Sequence, residues 1–127
     1  MLCADTSCWI AYLQGESAWD VDLLDASLAN EAVVMAPVVL AEIFSDPTLS
    51  ATSRASFRSL PLLEVTTGYW ERAGLTRALC RRHSKMPKLA DTLIAQTCLD
   101  YQVPLLTRDR DFKAFSKHAG LQLVRST

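Results

Sequence analysis

Apolar residues along the chain fall into two alternating kinds of run. Short stretches of strand length, Leu2-Cys3-Ala4, Ala32 to Ala36, Leu62-Leu63-Glu64-Val65, Pro104-Leu105-Leu106-Thr107 and Leu121-Gln122-Leu123-Val124, are poor in charge. Between them the apolar positions recur at helical spacing. Trp9, Ile10, Tyr12 and Leu13 form one face, and Val21, Leu24 and Leu28 predict a second helix from about Ala18 to Asn30. Pro37 opens a helix carrying Glu42, which Ser45-Asp46-Pro47 ends. Further helices are predicted over Ser50 to Leu60, over Tyr69 to His83, and after Pro87, where Leu89, Leu93, Ile94 and Cys98 make a stripe. Phe112 and Phe115 mark a short helix before the final strand, and Asp5-Thr6-Ser7 both ends the first strand and caps the helix behind it. Strands uncharged enough to be covered on both faces, alternating with helices, predict an α/β sandwich with a mostly parallel sheet of about five strands. No linker, repeat or low-complexity segment divides residues 1–127, which read as a single domain.

Composition narrows the class. Half of the 127 residues are hydrophobic and 21% are charged, ordinary for a globular domain. No apolar run approaches the roughly 18 residues of a membrane span, and no basic segment precedes an apolar one at the N-terminus, so a soluble cytoplasmic protein with no membrane partner is expected. Cys3, Cys8, Cys80 and Cys98 form no C-x-x-C pair, which disfavours disulfides and structural zinc. His83 and His118 have no second His or Cys at ligand spacing, which disfavours histidine chemistry. Trp9, Trp19 and Trp70 read first as core or dimer-interface residues, with base stacking as the sharper alternative, and Trp9 should pack behind the first polar cluster.

The net charge of -1 conceals an asymmetry: residues 1–53 hold eight acids and no Lys or Arg, whereas residues 54–127 hold all thirteen basic residues against six acids. Two readings stay open. The fold could set a basic surface for a polyanion beside a carboxylate-rich site that holds cations, or the two halves could simply attract each other.

Four acids occupy unusual places. Asp5 ends a strand; Glu42 lies in Val38-Val39-Leu40-Ala41-Glu42-Ile43-Phe44; Asp91 lies in Leu89-Ala90-Asp91-Thr92-Leu93-Ile94; Asp109 follows Leu105-Leu106-Thr107-Arg108. Each alone could be a helix cap or a surface charge. In a parallel α/β sheet, however, ligands gather outside the carboxyl ends of the strands, where Asp5 and Asp109 should converge. Converging carboxylates repel unless a cation joins them, and an all-oxygen donor set favours Mg²⁺ or Mn²⁺ over zinc. Such a site can activate water and offset charge on a phosphodiester.

Asp5-Thr6-Ser7, Pro37 to Ile43, Pro87 to Ala95 and Leu105 to Phe112 together resemble the four motifs of PIN-domain ribonucleases, specifically the VapC-type toxins of toxin–antitoxin pairs. The match spans the chain. The resemblance implies a three-layer α/β/α sandwich, an endoribonuclease dependent on Mg²⁺ or Mn²⁺, a homodimer, and a VapB-type antitoxin that blocks the site. It implies Asp5, Glu42, Asp91 and Asp109 as catalytic, metal-binding acids. Ser7, Thr107 and Asp111 are placed just behind them, with Ser7 rather than Thr6 as the hydroxyl near the metal.

Arg77, Arg81, Arg82, Lys85 and Lys88 lead into the motif around Asp91 and are the expected contacts to the RNA backbone, their bland alternative being a solvated helix face. Arg108 and Arg110 flank Asp109 and could offset its charge or meet a partner segment. Two other classes fit less well. An aspartyl-nucleophile phosphohydrolase would want a second Asp where Ser7 stands, and a non-catalytic module of the same fold would be expected to lack one of the four acids, all of which are present.

Overall fold

In the computed structural model, described here over residues 1–126, three strands form the centre: β1 (Leu2–Ala4), β2 (Val33–Val34) and β3 (Leu105–Leu106). They are parallel in the order β2-β1-β3, with Leu2 opposite Val33 and Cys3 opposite both Val34 and Leu105. The two remaining expected strands are reduced to single parallel bridges, Met35 with Leu62 outside β2 and Leu105 with Leu123 outside β3. The sheet therefore has three strands with a bridge at each edge, not five full strands. Leu62 and Leu123 lie at its margins, where one bridge is all the ladder that forms.

Among the described residues seven α-helices cover the sheet: α1 (Thr6–Leu13), α2 (Trp19–Ala29), α3 (Pro37–Phe44), α4 (Ala51–Arg58), α5 (Tyr69–Arg82), α6 (Leu89–Tyr101) and α7 (Lys113–Ala119). A 3-10 turn over Arg110–Phe112 leads into α7. Local sequence accounts for several boundaries: Asp5 caps α1, Ser50 caps α4, and Pro37 supplies the fixed φ that starts α3. Gly120, at φ 81°, takes the left-handed turn that stops α7 and sends the chain toward Leu123.

Chain order and handedness together define the layers. From β1 the chain steps outward to β2 and then to Leu62, and afterwards crosses back to β3 and on to Leu123. Right-handed crossovers place α1 to α4 on one face and α5 to α7 on the other. Within the layers α1 packs on α2 and α3 and α5 packs on α6 and α7, while α3 also meets α6 across them. The direction of winding reverses between β1 and β3. A crevice opens at the carboxyl ends of strands at such a reversal.

The core is continuous through both layers. Trp9, Leu24, Val33, Met35, Leu105 and Phe112 are almost wholly buried, and Trp9 meets Phe57 edge-on at 5.0 Å between ring centroids. Trp9 is thus the packed residue expected behind the first motif, whereas Trp19 and Trp70 are exposed. All four cysteines are buried free thiols. No helix among the described residues is long and apolar enough to cross a membrane.

Leu105 has no exposed surface and joins β3 to both β1 and Leu123. Leu105→Ala should cost about 2–5 kcal/mol in a urea melt. A loss below about 1 kcal/mol would contradict this account of the core.

Candidate active site

The site begins where β1 ends. Asp5, 4% exposed, stands at the N-cap of α1, and its Oδ1 accepts bonds from Ser7 Oγ at 2.6 Å and Cys8 N at 3.2 Å. Its Oδ2 accepts from Thr107 Oγ1 across the β1–β3 junction. Thr107 Oγ1 in turn accepts from the amide of Asp109 at 3.0 Å, and Ser7 Oγ accepts from the amide of Arg108 at 3.1 Å. Two hydroxyls therefore relay the position of Asp5 onto the loop after β3. Burial pushes the Asp5 carboxyl above its ordinary range, the bonds from Ser7, Thr107 and Cys8 pull it back, and the Asp109 charge adds to the rise.

Asp91 approaches from the first turn of α6. One carboxylate oxygen each from Asp91, Asp109 and Asp111 can lie within 4.8 Å of the others. Asp109 Oδ1 also accepts the amide of Asp111 at 2.9 Å, so the 3-10 turn holds these two acids side by side. Oδ2 of Asp91 is buried with no hydrogen-bond partner among the described residues. Burial first, then Asp109, pushes the Asp91 carboxyl up to about 6; Lys88 opposes the shift while Asp111 and Asp5 extend it. An all-oxygen donor set around an orphaned buried oxygen fits a hard divalent cation.

The expected residues are distributed unevenly. Asp91 and Asp109 lie together, and Asp5 is coupled to both through its field. Asp111, placed in the sequence reading behind the ligands, stands beside them as a third carboxylate because the turn after Asp109 folds it back. Glu42 lies outside that trio. Although embedded in apolar sequence it is exposed on α3, because Val39 and Ile43 turn inward and leave it on the open side, where it accepts from Thr6 Oγ1 at 2.8 Å. Ser7 and Thr107 are the hydroxyl relays just described.

Arg108 does not offset Asp109. Its Nε and Nη2 bond Asp20 at 2.5 and 3.0 Å, and its Nη1 reaches Glu16 at 3.0 Å. Asp20 is 4% exposed, and the Arg108 hydrogen bonds hold its carboxyl below the usual range. Sequence reading missed Asp20, which looks like an ordinary first-turn acid of α2 and has no local sign of a partner 88 residues away. Cys8 Sγ also points at Asp20 Oδ2, 3.6 Å away, and burial next to Asp5 and Asp20 pushes this thiol up to about 12. Of the basic segment, Arg77 is committed to the Pro87 carbonyl at 3.0 Å, while Lys85 and Lys88 border a groove that Asp111 shares. Arg81 and Arg82 project into solvent at the end of α5.

A family model described as "PIN domain" matches residues 2–118, and the chain belongs to that family. PIN domains of the VapC kind are generally nucleases, and the family typically binds divalent metal. The chain is also similar over nearly its whole length to three crystallised assemblies. VapBC2 from Rickettsia felis, bound to a promoter DNA fragment, gives a TM-score of 0.75 at 16% identity, covering 99% of this chain and 98% of that one. FitAcB from Neisseria gonorrhoeae gives 0.70 at 18%, covering 98% and 97%. VapBC-5 from Mycobacterium tuberculosis gives 0.67 at 22%, covering 98% of each. At these identities the likeness is one of fold.

The raised Asp91 carboxyl has a definite sign in stability. Between its ordinary value of 3.8 and about 6 the folded chain keeps a proton that the unfolded chain has lost. The stabilisation is complete below the lower value and is lost as pH rises through the upper one. In EDTA, Asp91→Asn should therefore melt higher than the parent near about pH 8, and this advantage should vanish by about pH 4. Equal melting temperatures at the higher pH would refute the cost of burying this carboxylate beside Asp109.

Proposed function

We propose that the chain is a metal-dependent endoribonuclease that cleaves RNA phosphodiesters as the toxin of a type II toxin–antitoxin pair. The observation that carries this reading is the Asp91, Asp109 and Asp111 trio at the reversal of the sheet, with an orphaned Asp91 oxygen inside it. On this reading Asp91, Asp109 and Asp111 hold Mg²⁺ or Mn²⁺, with Asp5 contributing charge from behind and Glu42 from the open side. When bound, such a cation activates water and offsets the charge developing on a phosphodiester. The chain's own part is positioning. Asp5 fixes Thr107, Thr107 fixes the Asp109 amide, and Ser7 fixes the Arg108 amide, so the acids are ordered before any ligand arrives. Lys85 and Lys88 supply positive charge beside the trio, and Arg77, Arg81 and Arg82 extend it along α5. We read residues 1–127 as one PIN domain that works in the cytoplasm as a homodimer.

The partner reading is a VapB-type antitoxin. An apolar groove of about 240 Å³ between α1, α2 and α4 is lined by Trp9, Tyr12, Leu13, Leu28, Phe57 and Leu60. An amphipathic segment fits such a groove, and an Arg at its end would suit the carboxylates. The VapBC assemblies named above lend support by their shared fold.

Labelled RNA incubated with the chain and Mn²⁺ should be cut, and EDTA should stop the cutting. Asp5→Asn and Asp91→Asn should each lower the rate by on the order of 100-fold or more without loss of fold, since a cation's effect on transition-state charge is worth several kcal/mol. Asp111→Asn should fall nearer to Asp91→Asn than to the parent. Full activity in Asp91→Asn would sink the assignment. Co-expression with the product of the adjacent open reading frame should give a complex that no longer cuts RNA; absence of association would remove the antitoxin reading.

A further inference from the structure

Two surface grooves meet at the carboxylates. One, of about 730 Å³, is lined by Trp19, Thr107 and Asp109, by residues of α7 and by Arg125. The other, of about 360 Å³, lies between the Lys85 to Lys88 loop and Asp111. Arg110 and Lys113 border both, so the grooves share a wall. Each groove also holds one acid of the trio, Asp109 in the first and Asp111 in the second. A chain lying through both would pass directly over the cluster.

The larger groove has the chemistry of a polyanion track. Arg110, Lys113, Lys117 and Arg125 line it, all are exposed, and none is ion-paired among the described residues. Lys113 and Lys117 stand four apart on α7 and so face the same way. Arg108 lines the same groove, but Glu16 and Asp20 already neutralise it. Trp19, 45% exposed and at the start of α2, also lines this groove, an indole that the core leaves to solvent. Cations and an exposed aromatic lining one groove are what a single strand needs: the phosphates follow the charge and an unpaired base stacks on the ring.

We propose that the RNA strand runs through both grooves, with Lys113, Lys117 and Arg125 holding its backbone on one side of the scissile phosphate and Trp19 stacking one of its bases there. The sequence alone points to Arg77 through Lys88 for the backbone and offers base stacking only as the alternative for Trp9, Trp19 and Trp70. This rests on the ribonuclease reading and adds the strand's path and a residue that grips a base.

Fluorescence anisotropy with a labelled single-stranded RNA of mixed sequence, in EDTA so that nothing is cut, tests the path. Removing three phosphate contacts with Lys113→Gln, Lys117→Gln and Arg125→Gln together should flatten the log–log salt slope by about 2, at roughly 0.7 per contact. Trp19→Leu should weaken binding roughly 5- to 150-fold with the slope unchanged. Circular dichroism melts should show both variants folded, and Arg54→Gln with Arg58→Gln on α4, outside both grooves, serves as the charge-removal control. If the parent cuts RNA with Mn²⁺ but neither groove variant binds more weakly than the control, the path is wrong and the ribonuclease reading stands. A parent that neither binds nor cuts RNA overturns both. Variants that bind RNA normally but lose a co-expressed protein partner would assign the groove to that partner and overturn the proposal.

Discussion

The parallel pairing of β1 with β3 is the constraint on which the site depends. It joins residues a hundred positions apart, setting Ala4 beside Leu106 so that Asp5 and Thr107 emerge next to each other. From that junction, short side chains do the rest. Asp5 has both oxygens occupied by donors from α1 and from the loop after β3, so helix, strand and loop are locked through one carboxylate. A buried charge held this way is costly to form and unlike a surface acid in every respect. Its retention at the strand end is explained by what it orders next to it.

The charge asymmetry resolves into two different uses. Among the described residues, Arg108 is the one cation of the second half that ion-pairs with the acidic first half, gripping Asp20 and Glu16. At that point mutual attraction is the correct description, and it ties the loop after β3 to α1 and α2. Lys85, Lys88, Arg110, Lys113, Lys117 and Arg125 stay with solvent and line the grooves. Both readings hold in different places: one arginine ties the halves together, and the other basic residues lining the grooves stay out of ion pairs among the described residues.

Legibility followed the range of the interactions. The helix starts at Thr6, Pro37 and Leu89 were readable because caps and proline act within a few residues. The fold class was readable because alternation is a local pattern. Asp91 and Asp109 stood out for the same reason. Hidden were matters decided by distant packing: the Arg108 to Asp20 pairing, the return of Asp111 toward Asp91, and the exposure of Glu42 and Trp19. Apolar neighbours in sequence imply burial only when the helix turns that residue inward, and α3 is oriented by its packing on α1 and α6.

The buried thiols have a practical consequence. Cys8 is wedged between Asp5 and Asp20 with its ionisation pushed up to about 12, and Cys3, Cys80 and Cys98 are equally enclosed. Because alkylating reagents attack the thiolate, the native chain presents them with no ready target. Modification must wait for the structure to open, so the labelling rate at each cysteine becomes a clock for local breathing. Cys8 times the opening of α1 away from the carboxylates, and Cys80 and Cys98 time that of the opposite layer, with no engineered probe required.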